Sequence, residues 1–266
     1  MRHRLYRGST TLLLRQLQPH QQQQPLFKFQ HYQRTMSSST AKISEPRIAN
    51  PALFICDIQE RFSKAIYQFP SIVTTTLKLI SAAKTLQIPI YITTQNRRAL
   101  GDTVPEILSL LSQEPVSNVI INADKSLFSM CTPEVLQKLD ENPGVNGEKR
   151  EVVIVGIETH ICLMQSTLDL LERGHKVWVV RDGVSSCNPQ EIPTALARMQ
   201  QAGAVVTTSE SFLFEYMKDS ARPEFKQIAG LIKETKAATK ESLEALIGPV
   251  GAQESGGISS DCSKIF

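Results

Sequence analysis

The sequence predicts a doubly wound α/β fold, Rossmann-like, with a six-stranded and mostly parallel sheet, and three observations lead there. Short, wholly apolar, β-branched runs recur along the chain, as in strands covered on both faces of a parallel sheet. Segments of helical spacing separate them, so strand and helix alternate with short connections. No repeat of solenoid period interrupts this pattern. In the strand order 3-2-1-4-5-6, helices cover both faces, strands one and four are neighbours at the switch point, and ligands bind beyond their carboxyl ends.

The first strand is 52–56 (ALFIC), ending directly on Asp57. A helix over 71–86 follows, with Ile72, Leu77, Leu79, Ile80 and Ala83 on its apolar side. Strand two is 88–93 (IPIYIT), and 93–102 (TTQNRRALGD) reads as a loop. A helix over 103–112 opens with Thr and Pro, where Pro is tolerated in the first turn. Strand three, 119–122, runs out into Ala123, Asp124 and Lys125, and a helix entered at Thr132-Pro133 runs to about Leu139. The polar, Gly/Pro-rich 141–150 leads to strand four, 152–155, bounded by charge. After it, Ile161, Met164, Leu168 and Leu171 recur at helical spacing with Thr159 as the expected N-cap, which places Cys162 in the first helical turn. Gly174 stops that helix. Strand five is 175–180 (HKVWVV), a helix from Asn188-Pro189 runs to about Gln201, strand six is 204–207, and helices over 209–217 and 224–235 complete the pattern.

At 266 residues with 41% hydrophobic content, the chain fits a globular protein of one large domain or at most two. The expected division is 1–45 as a leader, 46–237 as the domain, and 238–266 as a C-terminal helix and flexible tail. The net charge of +3 is small. Arg2, Arg4, Arg7, Arg15, Lys28, Arg34 and Lys42 all precede the first acidic residue, Glu45, so the rest of the chain offers no support for nucleic-acid binding. Basic, Ser/Thr- and Gln-rich, with Leu5, Leu12, Leu13, Leu14 and Leu17 as an apolar face, the leader reads as a mitochondrial transit peptide, the plainer reading being a disordered tail with no address. Met36 supplies an internal start that yields a cytoplasmic form. Leu12 to Leu14 is too short for a membrane span, so no membrane association is expected. The five cysteines show no CxxC spacing and suit a reducing compartment. Only His160 and His175 lie within the domain, so no metal site built on histidine is expected.

Three polar residues stand just beyond strand ends on one edge of such a sheet: Asp57, Lys125 and Cys162. A thiol at a helix start meets unpaired backbone N–H groups and the positive end of the helix dipole, both of which favour the thiolate. Each residue has a plainer reading: Cys162 as core filler, Asp57 as a helix cap, Lys125 as a solvated loop charge. Phe62 and Phe128 are placed along the pocket wall and Gln59 beside Asp57 as a substrate contact. Asp182 is expected to fix a turn. The loop 95–102 is expected to shape specificity.

Taken together, DIQERF at Asp57, ADKSLFSM around Lys125 and GIETHICLMQS around Cys162 resemble the isochorismatase-like cysteine hydrolase family, over residues 50–214. The resemblance implies the same six-stranded sheet and an Asp-Lys-Cys catalytic triad of Asp57, Lys125 and Cys162. It also implies a cis peptide at Ile157-Glu158, an oxyanion hole from the backbone N–H groups of Glu158 and Cys162, and a homo-oligomer. The expected activity is hydrolysis of a small-molecule amide or related C–N bond through a thioester, with no cofactor. Nicotinamidases of the family hold a metal with an Asp and two His after strand two, and 93–102 contains no histidine. Isochorismatases proper cleave a vinyl ether and lack the cysteine. A vinyl-ether hydrolase and a non-catalytic interaction protein that keeps the fold are the alternatives, while the motifs look most like the isochorismatase-domain-containing proteins of eukaryotes.

Overall fold

A computed structural model describes residues 48–113 and 118–248; the leader assigned to 1–45 and the Gly/Ser-rich end carrying Cys262 lie outside the described residues. Six strands, β1 (Pro51–Cys56), β2 (Ile90–Gln95), β3 (Val119–Lys125), β4 (Glu151–Gly156), β5 (Lys176–Val184) and β6 (Val205–Thr207), form one sheet in the order β3-β2-β1-β4-β5-β6. All neighbouring pairs are parallel, so fold class and strand order are those the sequence predicts. β1 and β4 are buried along their whole length, which is why neither alternates polar with apolar residues.

The pleat divides the central strands between two cores. Leu53, Ile55, Val153 and Val155 face one way, against α1 (Phe69–Leu86), α3 (Pro105–Ser112), α7 (Ser209–Met217) and α8 (Phe225–Glu234). Ala52, Phe54, Val152 and Ile154 face the other, against α4 (Pro133–Glu141), α5 (Met164–Glu172) and α6 (Glu191–Gln201). Each buried branched side chain contributes about 1.5–3 kcal/mol, so both faces are strongly specified. Parallel register sets Cys56 opposite Gly156 and lines up the carboxyl ends where the two central strands stop.

Local departures from the sequence reading have identifiable causes. The stretch read as a loop after β2 contains a short helix, α2 (Arg97–Leu100), entered through Asn96 in the left-handed region (φ 42°). Asp124 organises it, accepting from Arg97 N at 2.8 Å and Thr94 Oγ1 at 3.0 Å. The helix expected to open at Thr103 begins at Pro105, and Thr103 instead bridges Gln59. Thr132 caps α4 as expected, accepting from Val135 N at 3.3 Å. Asp182 accepts from Ser209 N at 2.7 Å and from the Ser209 hydroxyl, tying β5 to the start of α7.

The C-terminal helix, α9 (Lys236–Ile247), starts before the expected boundary and packs on the domain. Lys78 Nζ donates to Thr239 Oγ1 at 2.8 Å, Tyr67 Oη to Ala245 O at 2.9 Å, and Arg181 to Leu246 O. No helix among the described residues is long and apolar enough to cross a membrane.

Candidate active site

The carboxyl ends of β1, β3 and β4 converge on a cavity of about 340 Å³, within the range of small-molecule sites. β1 delivers Asp57, whose backbone lies in the left-handed region (φ 52°), a conformation that Asp tolerates better than most residues. Its carboxylate is 1% exposed. β3 delivers Lys125, whose Nζ donates to Asp57 Oδ2 at 2.7 Å, Gln95 Oε1 at 2.7 Å, Phe128 O at 2.9 Å and Leu127 O at 3.1 Å. Burial pushes the Lys125 ammonium down, and its interactions with the Cys56, Asp57 and Cys162 side chains, the hydrogen bond to Asp57 among them, outweigh it, holding the group above its ordinary value. Thr93 Oγ1 donates to the other Asp57 oxygen at 2.8 Å.

β4 ends at Gly156, where φ is +120° and an added Cβ would strike the carbonyl oxygen of Cys56. Only glycine serves there. The Ile157-Glu158 peptide that follows is cis. Cys162, 7% exposed, lines the cavity with Asp57, as do Phe62, Phe128 and Glu158. The first turn is not capped by Thr159. The N-cap is Glu158, and a π-helical turn, Thr159–Leu163, closes through Leu163 N donating to Glu158 O at 3.2 Å before α5 begins. That wider turn sends Thr159 inward, where Oγ1 is buried and has no partner among the described residues. Ser166 then locks the turn that carries Cys162 to the β3–α4 loop: its Oγ donates to Cys162 O at 2.6 Å and accepts from Met130 N at 2.8 Å.

Gln59 does not contact the cavity. It is fully buried, with Nε2 donating to Gly101 O at 2.7 Å and Gln95 O at 3.0 Å, and Oε1 accepting from Gln95 N at 2.7 Å. Its role is to clamp the loop after β2, and that loop does reach the cavity through Gln95, Asn96, Ala99 and Leu100. His160 turns aside, its Nδ1 2.9 Å from Ser186 Oγ.

Two features of the site escape a reading of the sequence. Cys56, fully buried, donates from Sγ to Asp57 Oδ2 at 3.6 Å and lies beside the Cys162 thiol. Burial first, then the hydrogen bond with Cys162 and the Asp57 charge, push its thiol well above the ordinary value, so it stays a protonated donor. The only sequence signal was its place between an apolar strand and Asp57. The second is the Glu158 carboxylate, whose Oε2 accepts from Cys187 N at 2.8 Å. Among the described residues, no group of three or more His, Cys, Asp or Glu is placed to hold a metal.

Residues 51–211 match the isochorismatase domain. The secreted isochorismatase effector Isc1 of Phytophthora sojae is 41% identical over 199 residues, covering 75% of this chain and 92% of its own length. Isochorismatase domain-containing protein 2 of Xenopus laevis is 39% identical over 197 residues, covering 74% of this chain and 90% of its own. Among solved structures, a MAR1 ribonuclease from Caenorhabditis elegans aligns with a TM-score of 0.63 at 42% identity, covering 70% of this chain and 90% of that one.

Proposed function

This chain belongs to the isochorismatase family, and we propose that it is a metal-independent cysteine hydrolase cleaving a small amide or related C–N bond through a thioester on Cys162. The observation that carries this reading is the buried Asp57–Lys125 pair, 2.7 Å apart, with Asp57 lining the same cavity as Cys162. Asp57 takes the Cys162 proton, and the thiolate attacks the substrate carbonyl carbon. The developing oxyanion meets the backbone N–H groups of Glu158 and Cys162. Collapse of the intermediate breaks the C–N bond as Asp57 returns the proton to the leaving nitrogen. Water, deprotonated by Asp57, then hydrolyses the thioester and regenerates the thiol. Lys125 holds the Asp57 side chain in place throughout, through the 2.7 Å hydrogen bond from Nζ to Oδ2.

The name of the C. elegans structure, at 42% identity, favours ribonuclease activity as a second reading. Against it, the cavity lining contains no Lys, Arg or His to meet a phosphate. Wild type, Cys162→Ala and Asp57→Asn assayed against a panel of small amides, small vinyl ethers and a single-stranded RNA separate the readings. We expect amide turnover by wild type, a loss of at least about 10²-fold in both variants, and intact RNA. RNA cleavage that survives in neither variant supports the ribonuclease instead. Activity that persists in Cys162→Ala and is lost in Asp57→Asn points to vinyl-ether chemistry, and no turnover in wild type points to a binding protein.

A further inference from the structure

Glu158 lines the cavity, and its side chain is 5% exposed. Oε2 is occupied by Cys187 N and lies 3.9 Å from His160 Nδ1; Oε1 has no partner among the described residues. A buried carboxylate oxygen normally finds a donor, so an N–H group brought by a ligand would meet an unfilled acceptor at Glu158. The rest of the lining sharpens the point. Its other ionisable groups are Asp57 and Cys162, with no cation among them. Lys125, behind Asp57, is already engaged by four acceptors and has no donor to spare for a ligand. Phe62, Phe128, Ile157 and Ile161 supply an apolar wall. An entering carboxylate therefore meets like charge in a cavity of low polarity and finds no counter-ion, whereas an N–H group finds an acceptor.

We propose that Glu158 is a specificity-determining residue: its carboxylate accepts an N–H from an uncharged or cationic substrate, such as a carboxamide, ureido or ammonium group, and together with Asp57 rejects substrates that carry a carboxylate. The inference rests on the cysteine-hydrolase reading of this cavity and adds the class of molecule it takes.

Two alkylating reagents that differ in one terminal group test it without knowledge of the substrate. Iodoacetamide carries the carboxamide and iodoacetate the carboxylate. Their rates at Cys162 in the full chain are measured by peptide mass mapping, and their ratio is divided by the same ratio for 2-mercaptoethanol. The normalised preference for iodoacetamide is expected to be at least about tenfold, falling to about threefold or less in Glu158→Gln. A preference of one in wild type, with rapid alkylation by both reagents, overturns the inference and leaves the cysteine reading standing. Alkylation of Cys162 no faster than of Cys187 by either reagent overturns both. Full preference retained in Glu158→Gln removes Glu158 from the role. Should that variant fail to fold, 2-bromoethylammonium on wild type decides: normalised in the same way, it is expected to match or exceed iodoacetamide, and rejection as strong as that of iodoacetate overturns the inference.

Discussion

Replacing Lys125 with Met keeps the length and apolar stem of the side chain and deletes the charge that the site is built around. Lys125 and Asp57 side chains are 0% and 1% exposed, so solvent does not screen the pair. Four hydrogen bonds from Nζ disappear, and Asp57 keeps only the Thr93 hydroxyl at 2.8 Å and the weak Cys56 thiol contact at 3.6 Å. Removing one partner of a buried ion pair costs about 3–5 kcal/mol, chiefly because the other charge is stranded. With a urea slope of roughly 3 kcal/mol per M, a loss of about 4 kcal/mol moves the midpoint down by about 1.3 M. The double variant Asp57→Asn/Lys125→Met is expected to lose less than the sum of the single changes, with a coupling of at least about 2 kcal/mol. The sign of the pH dependence follows from Lys125 being held above its ordinary value. Its stabilising contribution is fully present below the unfolded lysine pKa of about 10.4 and is lost as pH rises through the higher folded value. The gap between wild type and Lys125→Met therefore stays constant from about pH 7 to 9 and closes only above about 10.4. A loss under about 1 kcal/mol, additive single changes, or a gap that closes below pH 9 refutes the reasoning.

Two further substitutions probe the frame of the site. Gly156→Ala places a Cβ against the Cys56 carbonyl at φ +120° and is expected to cost about 3 kcal/mol in urea titration while slowing alkylation of Cys162; an Ala variant as stable as wild type contradicts the packing described. His175 is buried, with Nδ1 2.8 Å from Arg150 O; burial, partly offset by that hydrogen bond, lowers its pKa from 6.5. Between the lowered folded value and 6.5 the unfolded chain binds a proton that the native protein does not, so stability rises with pH across that window. His175→Gln should flatten the urea-midpoint profile there, and an unchanged slope assigns the acid sensitivity elsewhere.

Strands, their order and the ends from which the chemistry projects follow from local pattern because a strand covered on both faces must be apolar at every position. Runs such as 52–55 and 152–155 have few other places to go, and Asp57, Lys125 and Cys162 announce themselves by standing where such runs stop. What stayed hidden depends on partners far along the chain. Gln59 looks like a substrate contact beside Asp57, yet its amide is spent on Gln95, 36 residues away. Glu158 enters the sequence reading only for its backbone N–H, and that its carboxylate accepts from Cys187 N, 29 residues on, appears only in the fold. The π-helical turn displaces Thr159 from its cap, and Cys56 acquires a role only because strand register brings its end beside the turn that carries Cys162. Periodic burial is written into neighbouring residues and is local, so the sequence alone determines the sheet and which residues crowd its edge. Saturation of hydrogen bonds is settled between elements, so only the tertiary structure decides which of those polar groups remain free to meet a substrate.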